Sequence, residues 1–127
     1  MNSISKLALA KTMTNSKRRS KYNNRKVTLD GKKFDSIKES FVYSQLKLRE
    51  KAGEIKDLEC QHKIPLVAHN FATGAGERFA WYVCDFKFYD LREARVRYVD
   101  AKGVKTAMFN MKARIVAACY GIQVETV

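Results

Sequence analysis

The sequence predicts an α/β domain, a mixed central sheet flanked by helices, behind a basic N-terminal arm. Three observations predict it. Aromatic and β-branched residues crowd positions 79–90 and alternate with polar ones along 95–102, as strands require. Two stretches, opening at Ser36 and Thr106, carry apolar residues at helical spacing. The first 26 residues hold Lys6, Lys11, Lys17, Arg18, Arg19, Lys21, Arg25 and Lys26 and no acidic residue.

The arm is residues 1–26 and the domain is 27–127. Within the arm, Ile4, Leu7 and Ala8 fit one side of a short helix over 3–13, and 14–25 reads as a flexible basic segment. A basic tail is either a solubilising appendage or a phosphate contact, and the charge of the whole chain favours contact. Its candidate nucleic-acid-binding residues are Lys17, Arg18, Arg19, Lys21, Arg25 and Lys26, joined later by Lys105 and Lys112. Next comes a small hairpin, V-T-L and K-K-F around Asp30-Gly31. Ser36 is the N-cap of the first helix and Glu39, three residues on, completes a capping box. Ile37, Phe41, Ser44 and Leu48 form its expected apolar face, with Val42 and Leu46 beside it, and Gly53 ends it.

A strand follows over 58–67, and Pro65 marks it as exposed or at an edge. The loop at 69–77 takes its freedom from Gly74 and Gly76. Strands 79–90 and 95–102 then pair through the polar linker Leu91-Arg92-Glu93-Ala94. The second helix covers 106–120, with Met108, Met111, Ile115, Ala118 and Cys119 as its expected apolar stripe and Gly121 as its C-cap. Residues 122–127 form the last strand.

The central hairpin carries the chemistry. A turn centred between Arg92 and Glu93 sets Asp90 against Arg95, Phe86 against Val99 and Asp85 against Asp100. Alternation along a strand puts Lys102 on the same face as Asp100. Like charges directly opposed destabilise a sheet. A divalent cation between them removes the conflict, and Mg²⁺ takes one or two carboxylates plus waters and phosphate oxygens. The plainer reading is a pair of edge carboxylates with Lys102 as salt-bridge partner. Val83, Cys84, Phe86, Phe88, Tyr98 and Val99 argue against it, because they imply strands covered by other layers, where charges are rare unless paired or metal-bound. Glu39 likewise has two readings, a helix cap or a third acid at the metal.

A formal net charge of +12 points to a polyanion, most simply nucleic acid. Cys60, Cys84 and Cys119 are odd in number, far apart and without a C-x-x-C, and His62 and His69 are the only histidines, which argues against a structural zinc site; the cysteines read as reduced core residues. No apolar run has membrane-spanning length, and a cytoplasmic location is expected.

The order helix, strand, strand, strand, helix, strand, with Glu39, Asp85 and Asp100-Ala101-Lys102 in place, resembles the PD-(D/E)XK nuclease superfamily. More narrowly, F-D-S-I-K-E, K-A-G-E-I-K-D-L-E-C-Q, Y-V-C-D-F and V-D-A-K-G resemble small phage-encoded nucleases of that superfamily, some regarded as Holliday-junction resolvases. The likeness covers residues 21–127 and departs from the pattern where Cys84, not proline, precedes Asp85. It implies a restriction-endonuclease-like αβββαβ core and a Mg²⁺-dependent phosphodiesterase, with Mn²⁺ as a substitute. Glu39, Asp85, Asp100 and Lys102 would be catalytic; Glu39, Asp85, Asp100 and the Ala101 carbonyl would hold metal. Gln61 is a further candidate for positioning water. The implied activity is an endonuclease on branched DNA, working as a homodimer because a junction needs two cuts. A nuclease on linear or nicked DNA and a non-catalytic nucleic-acid-binding module stay open as alternatives.

Overall fold

The computed structural model describes residues 26–127. Its elements are β1 (Val27–Leu29), β2 (Lys32–Phe34), α1 (Ile37–Lys51), β3 (Ile55–His69), β4 (Gly76–Asp90), β5 (Arg95–Asp100), α2 (Ala107–Tyr120) and β6 (Val124–Thr126). The chain divides into two compact units, one ending at Ser40 and one running from Phe41 to Val127. The division falls inside α1. The helix expected at 3–13, and Lys17, Arg18, Arg19, Lys21 and Arg25 with it, lie outside the described residues; Lys26 is exposed.

In the first unit, β1 and β2 pair antiparallel from Val27↔Phe34 to Leu29↔Lys32. Asp30 (φ 53°) and Gly31 (φ 76°) both take the left-handed conformation, as a two-residue hairpin turn of type I′ demands. Ser36 caps α1, its Oγ accepting from the Glu39 N–H at 3.0 Å.

In the second unit the sheet order is β3-β4-β5-β6, antiparallel twice and then parallel, so the sheet is mixed. β3 is an edge strand, which is why Pro65 is tolerated in it. Along β4 every second side chain is buried: Tyr82, Cys84, Phe86, Phe88 and Asp90. Tyr43 of α1 stacks on Phe86 with centroids 6.4 Å apart, and Val116 of α2 joins Ile64, Leu66, Tyr82 and Cys84 in the core. Both helices therefore cover the same face of β4. The other face carries Phe79, Trp81 and Val83, all exposed, so the expectation of strands covered on both sides holds on one side only.

The helices are turned differently from the expected stripes. In α1, Tyr43 and Leu46 are buried while Phe41 and Leu48 are each 62 % exposed. In α2 the core takes Phe109, Ile115 and Val116, and Met108 and Met111 are exposed. One residue rotates a helix by about 100°, so a stripe chosen one position off points elsewhere. The caps of α2 are as expected: Thr106 Oγ1 accepts from the Phe109 N–H at 3.0 Å, and Gly121 (φ 70°) ends the helix with its N–H on the Ala117 carbonyl.

Of the three free cysteines only Cys84 is a core residue; Cys60 is half-buried and Cys119 exposed. The Cys84 thiol donates to the Phe86 carbonyl at 3.3 Å, and burial pushes it up to about 12, so it is inert. Among the described residues no helix is long and apolar enough to cross a membrane.

Candidate functional site

The site forms where the β4–β5 ladder ends. Partners run from Asp90↔Arg95 to Phe86↔Val99, the register set by the turn at 91–94. One step further, Asp85 meets Asp100, and side chains replace the ladder. The Asp85 N–H donates to Asp100 Oδ1 at 2.7 Å, and the Ala101 N–H donates to Asp85 Oδ2 at 3.0 Å. Each carboxylate thus grips the main chain of the other strand. This exchange ends β5 at Asp100 rather than 102. Beyond it, among the described residues, β4 pairs with β3 alone.

Both acids are held, and held close. Asp100 is 1 % exposed and accepts from the Tyr82 hydroxyl through Oδ2. Asp85 Oδ1 accepts from Gln61 Nε2 at 3.5 Å. Burial pushes the Asp85 carboxyl up to about 6; the Ala101 N–H opposes this, the Asp100 charge adds to it, and Lys102 and Gln61 pull it back. The Tyr82 hydroxyl is raised well above its usual value, chiefly by burial and then by its bond to Asp100, so it stays a donor at neutral pH.

Asp85 and Asp100 are therefore brought together as the register requires, while Lys102 lies past the end of β5, where strand alternation no longer places it. The Lys102 ammonium lies 4.9 Å from the Phe109 ring centroid while its charge acts on Asp85. Glu39 belongs to the other compact unit, where it is buried in the first turn of α1. Lys105 is exposed just before α2. Lys112 donates to the Trp81 carbonyl at 3.2 Å, tying α2 to the edge of β4 that β5 leaves unpaired.

Two contributors were not given their full part by the sequence. Tyr82 shares the buried parity of Cys84 and Phe86, and a buried tyrosine needs a partner for its hydroxyl; that parity was the available signal. Gln61 was a candidate for water, yet it contacts Asp85 directly from a strained backbone at φ 56°. A left-handed conformation costs a residue with a side chain about 1–2 kcal/mol, and such strain gathers at functional sites.

Among the described residues, no three His, Cys, Asp or Glu side chains converge as a metal cage. The donor set nevertheless fits a hard cation that keeps much of its water. Two carboxylates and a main-chain carbonyl are oxygen donors of the kind Mg²⁺ accepts, and it is seldom held in an all-protein cage. Two acids pressed together, one pushed up by burial and by its neighbour, supply the electrostatic reason for a cation there.

A sequence-family model described as "Protein of unknown function (DUF1064)" matches residues 19–125. No curated protein and no solved structure matches the chain.

Proposed function

The chain belongs to the DUF1064 family of proteins of unknown function, and we propose that it is a Mg²⁺-dependent DNA endonuclease of the PD-(D/E)XK type, selective for branched DNA. The observation that carries this reading is the reciprocal grip of Asp85 and Asp100, with the Lys102 charge acting on Asp85. The element order α1-β3-β4-β5-α2-β6 supports it, since a restriction-endonuclease-like core places the first aspartate and the D-x-K triplet on adjacent strands. So does the net charge of +12, which suits a phosphate backbone.

Asp85, Asp100 and the Ala101 carbonyl would hold the cation. When bound, Mg²⁺ or Mn²⁺ supplies charge neutralisation at the scissile phosphate and lowers the pKa of a water. The protein's own part is orientation. The Ala101 N–H and Gln61 fix Asp85, and the Asp85 N–H and Tyr82 fix Asp100, so neither acid must reorganise during reaction. Lys102 holds a positive charge where the phosphate oxygens gain negative charge. A homodimer would supply the two sites that symmetric cutting of a four-way junction requires.

The test is to incubate protein and Mg²⁺ with four-way junction, fork, nicked and linear duplexes of matched sequence and to map the cuts. Paired symmetric cuts in the junction, lost in chelator, are expected. Equal cutting of the linear duplex would move the activity to the linear-or-nicked alternative. No cutting of any substrate with Mg²⁺ or Mn²⁺ would leave only a binding module.

Tyr82→Phe probes the positioning of Asp100. Loss of a hydrogen bond to a ligating carboxylate is expected to lower cleavage by about 10- to 100-fold, and the Mg²⁺ concentration needed for half-maximal rate should rise. A rate loss with an unchanged Mg²⁺ requirement would contradict this role.

A further inference from the structure

β4 leads away from the carboxylates along an open surface. Trp81 and Phe79 sit on the same face as Asp85, and Trp81 is 41 % exposed in spite of its size. Asp85 lies four steps along the strand from Trp81, a span of about 13 Å, or a few nucleotides of a bound strand. Two cations attend the indole: the Arg78 guanidinium lies 4.6 Å from the ring centroid and the Lys63 ammonium 5.9 Å. The Lys112 bond to the Trp81 carbonyl anchors the ring's own backbone to α2. A cleft of about 280 Å³ opens beside it, lined in part by Trp81, Lys102, Met108 and Phe109.

An exposed ring between flexible cations, on a path to a phosphate-cutting site, matches one ligand class closely. A nucleotide in a single strand offers both a flat π-face and an anion. The base takes the indole face, and Lys63 and Arg78 swing from the ring to the flanking phosphates, trading a weak exposed cation–π contact for a charge pair. Paired bases inside a duplex present no free face. Resting on the nuclease reading above, we propose that Trp81 is a stacking platform for an unpaired base beside the cleavage site, with Lys63 and Arg78 as its phosphate-binding rim. The preferred DNA then carries a single-stranded segment next to the scissile bond, as at a branch point.

The chain contains a single tryptophan, so its fluorescence reports this ring alone. The protein is titrated in chelator, where no cutting occurs, with a labelled 12-base oligothymidine and with a blunt duplex. Tryptophan emission and label anisotropy are read together. The single strand is expected to quench emission in step with binding, and the duplex to bind with little quenching. Trp81→Ala should weaken single-strand binding by roughly 5- to 100-fold. Trp81→Phe keeps a ring and should retain most of the affinity, which separates stacking from misfolding. Binding without quenching, or an unchanged affinity in Trp81→Ala, overturns the platform and leaves the nuclease reading standing. Failure to bind any DNA at low salt overturns both. A blue shift that grows with protein concentration without DNA overturns the platform in favour of a second copy of the chain on this face.

Discussion

Under the proposed endonuclease activity, Asp85→Asn is expected to lower Mg²⁺-dependent cleavage by about a thousandfold or more, because several kcal/mol of charge stabilisation by the cation would be lost with its proposed ligand. Folding should survive. The amide oxygen can still accept from the Ala101 N–H, and one of two charges pressed together disappears. The variant should therefore melt no lower than the native chain in chelator. DNA binding should be unchanged or tighter, since one anion facing the phosphates is gone. Asp100→Asn should be as inactive but less stable. Asp100 accepts from two donors, the Asp85 N–H and the Tyr82 hydroxyl, and an amide turns one acceptor into a donor facing one of them. Lys102→Ala should be slow yet still bind metal. Single-turnover cleavage, anisotropy and thermal melts read these effects separately. Native cleavage rates in both aspartate variants would remove the catalytic assignment.

The pairing of Asp85 with Asp100 was legible because register in a hairpin is fixed by its turn. Once the linker is 91–94, every partner follows, and a one-residue slip would send each side chain to the wrong face. The Asp30-Gly31 turn and the Ser36, Thr106 and Gly121 caps were legible for a related reason: each is a local backbone demand met by a particular residue type. What could not be read was orientation between elements. Phe41 and Leu48 look like a core stripe on a helical wheel, yet the sheet takes Tyr43 and Leu46. Trp81 looks like core by composition, yet both helices pack on the Tyr82 face and leave it open. The carboxylates were found but not their restraint, since Tyr82 and Ala101 reach them only through the geometry at the end of β5.

At the far end of the same hairpin, Arg97→Ala is expected to lower the melting temperature by about 10 °C or more, since removing one partner of a buried pair strands the other. Asp90 is 1 % exposed. Its Oδ1 takes the N–H groups of Arg92 and Glu93 at 2.9 and 3.0 Å, closing the turn. Its Oδ2 takes Arg97 at 2.8 Å and, more weakly, Arg49 at 3.5 Å. Arg97 also grips Glu125 with two bonds of 2.9 and 2.6 Å, which fastens β6 to β5. Arg97→Lys should recover only part of the loss, because an ammonium cannot form that fork. These contacts set a pH dependence. Arg97 first, then the turn N–H groups, hold the Asp90 carboxyl down at about 2, and Arg97 lowers Glu125 as well. Both groups have folded values below their unfolded ones, so their stabilisation is complete above about pH 4–5 and fades as pH falls towards 2. The native chain should lose stability through that window, and the gap between native and Arg97→Ala should narrow with it. Melts from pH 7 down to pH 2.5 measure both curves. A constant gap, or a variant melting within about 2 °C of the native chain, would mean that the network does not hold the hairpin together. Because Arg97 pairs opposite Phe88 and bonds Asp90 and Glu125 rather than Asp85 or Asp100, DNA binding by the folded variant should be unchanged, which keeps this test of the scaffold separate from any test of the site.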